Sequence, residues 1–320
     1  MVRIDRKQIH VALGAAAGGA GERIIPCVVR GRFFEGQDED PESRPVAVGD
    51  YVKVALGGEE GAQGTIEEVL PRRTRIARPR PRAPGAWQVI AANVDLLVIV
   101  ASLREPAPRP GLIDRLLIAA ECDGIEPLIV LNKVDLGPAA AAEELAAPYR
   151  ELGYRVLATS AKDGRGVEEL RDAMRGKTAM MLGHSGVGKS SLLNVLDPAV
   201  AARIGALVAG GTKMVRGAHT TTSASLHRLQ FGAFLVDTPG VREFGLPPME
   251  RNDLAHWFRE LAPLIPQCKY ATCTHDHEPN CAVKAAVERG AVRPERHRSY
   301  LKLLAELSGA GQRMQRHDAY

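Results

Sequence analysis

Gly183-His184-Ser185-Gly186-Val187-Gly188-Lys189-Ser190 stands between a short apolar run and a helical pattern. Glycines at these places let backbone N–H groups turn inward around phosphate oxygens, and the start of a helix adds partial positive charge. Lys189 is then placed to reach the β- and γ-phosphates and Ser190 to ligate Mg²⁺, with Ser191 ending the stretch expected at the nucleotide. Asp237 closes another apolar run, where a carboxylate can hold the metal through water. Gly240, in Asp237-Thr238-Pro239-Gly240, can present its N–H to the terminal phosphate.

A phosphate loop alone leaves the base open. Asn132-Lys133-Val134-Asp135 follows a buried-strand pattern, and the Asp135 carboxylate can accept two hydrogen bonds from guanine N1–H and the 2-amino group. Adenine offers neither donor and would leave the carboxylate unpaired. Asn132 and the backbone of Ala161, in Ser160-Ala161-Lys162, can complete the pocket, with the Lys133 stem along the nucleotide. The expected ligand is GTP or GDP with Mg²⁺.

Hydrolysis needs an oriented water. The residue after Gly240 is Val241, which cannot orient one. His219 is the candidate to position or deprotonate the water; the alternative is a solvated loop histidine. Lys189 and His219 are therefore the expected catalytic residues. Thr221 is the expected switch ligand to Mg²⁺ in the GTP state, with Thr220 and Thr222 as rivals.

These motifs run in an unusual order. The base-reading pair at Asn132 and Ser160 precedes the phosphate loop, whereas an ordinary GTPase begins with that loop. A circular permutation explains the order and places the nucleotide switch directly before whatever lies C-terminal to it.

Cys268-x4-Cys273-x-His275-x5-Cys281 supplies three thiolates and one imidazole. Four such ligands fill a tetrahedral Zn²⁺ shell and leave no open position, so the expected role is structural. His277 competes with His275 for the fourth place. Cys27 and Cys122 lie in apolar contexts and read as core thiols.

The 320 residues suffice for two or three domains, and 45% hydrophobic with 25% charged residues is ordinary for a globular chain. No apolar run approaches the roughly 20 residues of a membrane span, and no signal-peptide pattern opens the chain. A cytoplasmic location without membrane contact is expected. A net charge of +4 is mild, so nucleic-acid binding would need local patches. Arg72, Arg73, Arg75, Arg78, Arg80 and Arg82 form one such patch, read either as a solvated linker or as a phosphate-contacting strip.

Residues 1–70 carry short β-type runs at 24–34, 51–56 and 65–70, which suggest a small barrel of OB type. Residues 71–88 look too rich in Pro and Arg for an element and read as a linker. From residue 93 apolar strands (94–101, 126–131, 155–159, 178–182) alternate with helical patterns (113–122, 139–152, 167–174), which means a parallel sheet with right-handed crossovers. Runs at 226–231 and 234–236 complete it. After residue 245 the pattern is helical, with helices at 282–289 and 295–307 and a tail from Gly309 that should fray. The expected architecture is α/β: an OB-like barrel (1–70), a linker (71–88), a permuted P-loop GTPase domain (89–245) and a helical zinc domain (246–320).

The permuted order, the His219-Thr220-Thr221-Thr222 run and the Cys/His cluster together resemble the ribosome small-subunit-dependent GTPases, the RsgA/YjeQ family. Cys27-Val28-Val29-Arg30-Gly31-Arg32 with Gly49-Asp50-Tyr51-Val52 is similar to that family's OB domain. The resemblance implies a late maturation factor that binds the small ribosomal subunit and its rRNA near the decoding region, with a slow GTPase that the subunit stimulates; a monomeric protein is expected. It also implies His219 as the catalytic histidine, Thr221 as the switch threonine and Cys268, Cys273, His275 and Cys281 as zinc ligands. Ala218 departs from the longer polar residue expected before His219.

Overall fold

The structure is a computed structural model that describes residues 3–4, 9–13, 23–29, 46–57, 63–79, 87–210, 224–237, 246–247 and 249–317. The first five strands are β1 (Arg3–Ile4), β2 (Ile9–Leu13), β3 (Arg23–Val29), β4 (Val52–Gly57) and β5 (Gln63–Val69), followed by a hairpin of β6 (Arg75–Pro79) and β7 (Trp87–Ala92). The α/β region holds β8 (Leu96–Ser102), α1 (Pro110–Cys122), β9 (Glu126–Asn132), α2 (Ala139–Glu151), β10 (Arg155–Ala158), α3 (Val167–Met174) and β11 (Thr178–Leu182). It continues through α4 (Lys189–Leu196), α5 (Pro198–Gly210), β12 (Ser225–Arg228) and β13 (Phe234–Asp237). The chain ends in 3-10 turns at Arg251–Trp257 and Ala262–Gln267, then α6 (Ala282–Glu288) and α7 (Pro294–His317).

All of β8 is buried, which requires cover on both faces of the sheet. Side chains alternate across it. Leu97, Ile99, Ala101, Ile129 and Leu131 pack with Leu116 and Leu117 of α1 and Tyr149 of α2. Leu96, Val98, Val100, Leu128 and Val130 pack with Leu170 and Met174 of α3 and with Leu192, Leu193 and Leu196 of α4. Strands β10-β9-β8-β11-β13 are parallel in that order, and β12 is antiparallel to β13. From β8 the chain moves outward to β9; from β11 it moves the other way to β13. The reversal lies between β8 and β11, and a crevice opens at the carboxyl ends of strands at such a point.

The N-terminal strands continue this sheet in the order β12-β1-β2-β3-β5-β4, with β3 and β5 parallel. Insertion of β5 between β3 and β4 is a non-meander order, as a Greek-key barrel of OB type requires. No pairing among the described residues closes it. Cys27 is buried in this core.

Residues 71–88 differ from the expected linker. β6 pairs antiparallel with β7, Ile76 is buried, and Ala91 bridges Val48. Pro79 stands at the strand end opposite Trp87, where a missing N–H costs the ladder little. Arg72 forms an ion pair at 2.7 Å with the buried Asp50, and Arg73 reaches Asp95 at 3.1 Å. Those two arginines anchor structure; Arg80 and Arg82 lie outside the described residues.

The C-terminal region packs Phe258, Leu261, Tyr300, Leu303 and Leu304 with Ile118 of α1. Arg296 is buried between Glu260, at 2.6 Å, and Asp114 of α1, so a buried charge network joins α7 to helix α1 of the α/β region. α7 runs to His317, past Gly309 where fraying was expected. The residues after Gly311 (Gln312, Arg313, Met314, Gln315, Arg316) are good helix formers, which explains the extension. Among the described residues no helix is long and apolar enough to cross a membrane.

Candidate functional site

The phosphate loop leaves β11 at the crevice beside β8. A side chain on Gly183 would place its Cβ 2.1 Å from the Val100 carbonyl, so glycine is what lets the loop lie against β8. Gly188 has φ +96° and caps α4, and a Cβ there would meet the Asn132 amide at 2.3 Å. Lys189 opens the helix and folds back into the loop, donating to the carbonyls of Gly183 at 2.6 Å and His184 at 2.9 Å. The His184 ring turns aside to the Ser185 carbonyl, 2.7 Å away. Ser190 and Ser191 are exposed at the helix start.

Asn132, buried at the end of β9, joins the motifs. Its Nδ2 donates to the Val187 carbonyl of the phosphate loop at 2.9 Å. Its Oδ1 accepts from the Thr159 hydroxyl at 3.2 Å and the Ala161 N–H at 3.3 Å. One side chain thus ties together three segments far apart in sequence. Lys133 adopts the left-handed region, φ 62°, and sends the chain into the 3-10 turn Val134–Leu136. That turn brings Asp135 back to accept a hydrogen bond of 2.8 Å from the Ser160 hydroxyl. The Lys133 ammonium donates to the Glu105 carbonyl, in the loop after β8. Neither the Glu105 partner nor the link from Asn132 to Val187 has any signal in the spacing of residues.

Burial lowers the pKa of the Lys189 ammonium and raises that of the Asp237 carboxyl at the end of β13. Each group sits where its own charge is disfavoured, and each is suited to a ligand of opposite charge: phosphate oxygens for Lys189, a cation for Asp237. His219, Thr220, Thr221, Thr222 and Gly240 lie outside the described residues.

The ligand atoms of Cys268, Cys273, His275 and Cys281 all lie within 4.8 Å of one another, an arrangement that could hold a metal ion. His275 Nδ1 is 3.5 Å from the sulfurs of both Cys268 and Cys281, and those sulfurs are 4.0 Å apart. The His277 side chain is 78% exposed, so the choice between the two histidines falls to His275. Burial, with the nearby Cys281 and Cys268 sulfurs adding to it, pushes the Cys273 thiol up to about 12; a cation at the centre would favour the thiolate. Glu278 holds the turn by accepting from the Thr274 N–H at 2.8 Å, and Tyr300 of α7 donates to the Thr274 carbonyl at 2.8 Å.

The family model for the RsgA GTPase matches residues 69–247, more than half of the chain. The chain belongs to the RsgA GTPase family. It is 41% identical over 276 residues to the small ribosomal subunit biogenesis GTPase RsgA of Chlorobaculum tepidum, covering 84% of this chain and 88% of that one. To the protein of the same name from Pseudomonas aeruginosa it is 44% identical over 265 residues, covering 82% and 76%. The crystal structure of YjeQ from Thermotoga maritima superposes with a TM-score of 0.73 at 32% identity, covering 96% of this chain and 97% of that one. YloQ, described as a circularly permuted GTPase, gives 0.69 at 27% identity, covering 96% and 93%. As an RsgA-family member the chain is a GTP hydrolase, which brings guanine nucleotide and Mg²⁺ with it.

Proposed function

We propose that this RsgA-type GTPase acts in the late maturation of the small ribosomal subunit, binding its rRNA and hydrolysing GTP under stimulation by the subunit. The names of its relatives support the process. The observation that carries the site is the Asn132 side chain, which holds the phosphate loop against the base-reading segment.

In this reading Asp135 accepts from guanine N1–H and the 2-amino group, while the Ser160 hydroxyl fixes its orientation. Lys189 exchanges its loop carbonyls for the β- and γ-phosphates, where its charge is needed as phosphoryl transfer proceeds. Ser190, Thr221 and, through water, Asp237 would hold Mg²⁺, which would supply charge neutralisation at the phosphates, and Gly240 would present its N–H to the γ-phosphate. His219 positions or deprotonates the attacking water. We place the protein in the cytoplasm as a monomer.

The metal we assign to the cysteine cluster is zinc. Zn–S bonds of about 2.3 Å and Zn–N bonds of about 2.0–2.1 Å in a tetrahedron put sulfurs about 3.8 Å apart and S···N pairs about 3.6 Å apart. The distances of 4.0 and 3.5 Å fit that shell. Four protein ligands leave no open position, so the ion is structural.

The permuted order gives the nucleotide a route to this domain, because the chain leaves Asp237-Thr238-Pro239-Gly240 and reaches Leu246 and Pro247 within a few residues. Loss of the γ-phosphate releases the contacts at Thr221 and Gly240, and with them the segment that leads to the zinc domain. A hundredfold preference for one state needs a coupling of only about 2.7 kcal/mol. The test is small-subunit affinity with a non-hydrolysable GTP analogue against GDP, at fixed salt. Tighter binding with the analogue is expected; equal affinities would rule out the coupling.

A further inference from the structure

The chain has two tryptophans, and both line one cleft. This cleft, of about 430 Å³, lies between the β6–β7 hairpin, the end of α1 and the 3-10 turn Arg251–Trp257. Trp87 opens β7 and Trp257 closes the turn. Both are half-buried, so packing holds each ring in place while part of it stays open to the cleft. Aromatic residues make up only 4% of the chain, and core filling alone gives no reason for both indoles to meet in one open cavity. None of the lining residues belongs to the nucleotide motifs or the cysteine cluster.

Polar groups converge on the same walls. Arg75 and Asp123 face each other in a loose ion pair at 3.7 Å, with 63% of the arginine side chain exposed. Asp253 and His256 are exposed on the opposite wall, and Val89 and Met249 supply apolar surface between. A mostly apolar concavity of a few hundred Å³ with a few convergent polar groups, placed at a domain junction, has the character of a ligand site.

The lining selects the ligand. A phosphate alone would meet the carboxylates of Asp123 and Asp253, and an aliphatic ligand would use neither the carboxylates nor the flat indole faces. A nucleobase uses all of them: its π-face stacks on indole, its ring N–H or amino groups donate to carboxylate, and its backbone phosphate meets the guanidinium. We propose that this cleft takes one unstacked base of single-stranded RNA, packed against both Trp87 and Trp257 and anchored through Arg75. The choice of RNA over a free nucleotide rests on the small-subunit reading above.

Because both tryptophans lie in the cleft, intrinsic fluorescence reports its occupation. The full-length protein, with its guanine-nucleotide site saturated by GDP, is titrated with hexaadenylate, hexauridylate and AMP. Saturable quenching by the hexamers is expected, with AMP far weaker because it lacks flanking backbone. Anisotropy of labelled hexamer should show about a 5- to 150-fold weaker affinity for Trp87→Ala and for Trp257→Ala, the range for loss of one base–aromatic stack. Basal GTP turnover should be unchanged in both. Trp257→Phe should bind nearly as the wild type does, and Trp87→Leu should lose affinity while keeping an apolar side chain on the hairpin, which separates stacking from folding. Absence of quenching, or wild-type affinity in both alanine variants, would overturn the proposal. Quenching by AMP as tight as by the hexamers would overturn its RNA part. If hexamers quench but small subunits do not bind the wild type, the small-subunit reading fails and the cleft stands; if subunits bind the wild type while hexamers do not quench, the cleft alone fails.

Discussion

Asn132→Ala removes the one side chain that holds the three nucleotide segments together. It strands the Val187 carbonyl and the Ala161 N–H, each of which has its hydrogen bond to this amide. Thr159 can rotate its hydroxyl elsewhere. An unsatisfied buried polar group costs about 1–3 kcal/mol, and Val187 and Asn132 are both almost fully buried. Partial entry of water into the vacated space brings the sum for the two groups to about 2–4 kcal/mol. Because the lost contacts shape the pocket itself, most of this should appear as weaker binding, about 30- to 700-fold at one decade per 1.4 kcal/mol. Asn132→Asp is the informative companion. It keeps an acceptor for Thr159 and Ala161 but loses the donor and sets a charge against the Val187 carbonyl, so it should bind no better than the alanine variant. Titration with fluorescently labelled GDP measures the affinity, and urea unfolding measures the remainder. GDP affinity within threefold of wild type for Asn132→Ala, with an unchanged urea midpoint, would refute the reasoning.

Asp135→Asn should weaken GTP and favour xanthosine triphosphate, because a carboxamide can donate to the 2-oxo group; competition binding with no relative gain for the xanthine nucleotide would remove Asp135 from the base pocket. The purified protein should carry about one zinc per chain by elemental analysis, given one complete ligand set. Cys281→Ser should loosen the C-terminal region to proteolysis while the core still binds nucleotide, and a metal-free preparation with that region intact would contradict the structural role. Arg72→Ala should cost about 2–3 kcal/mol in urea unfolding, less than the ~3–5 of a fully buried pair because a quarter of the arginine side chain is exposed. A loss under about 0.5 kcal/mol, ordinary for surface changes, would return this segment to the role of a solvated linker.

The parallel sheet was legible because β8, β9 and β11 are uninterrupted apolar runs, and because Gly-rich and Asn-Lys-x-Asp turns end the strands that carry them. The β6–β7 pair was not, since Pro and Arg density hides a strand whose partner begins several residues further on, and since nothing local shows that Arg72 and Arg73, just before it, are paired with Asp50 and Asp95. α5 also went unread: residues such as Val200, Ala201 and Leu207 sit among so many apolar neighbours that no polar face marks a helix. In the sites, spacing brought out the residue types but not the contacts between them. The spacing left His275 and His277 open, and exposure separates them. The convergence of Trp87 and Trp257 needs the docking of the C-terminal region on α1 and has no trace in either local sequence.

GTP turnover measured with and without purified small ribosomal subunits, on the wild type and on His219→Ala, tests the account most directly. The wild type should turn over slowly alone and markedly faster with subunits, with ATP a poor substrate in both cases. His219→Ala should keep its nucleotide affinity and lose turnover by about 10²-fold or more. Turnover indifferent to the subunits would contradict a ribosomal GTPase, and an unchanged rate in the variant under both conditions would exclude His219 from the chemistry.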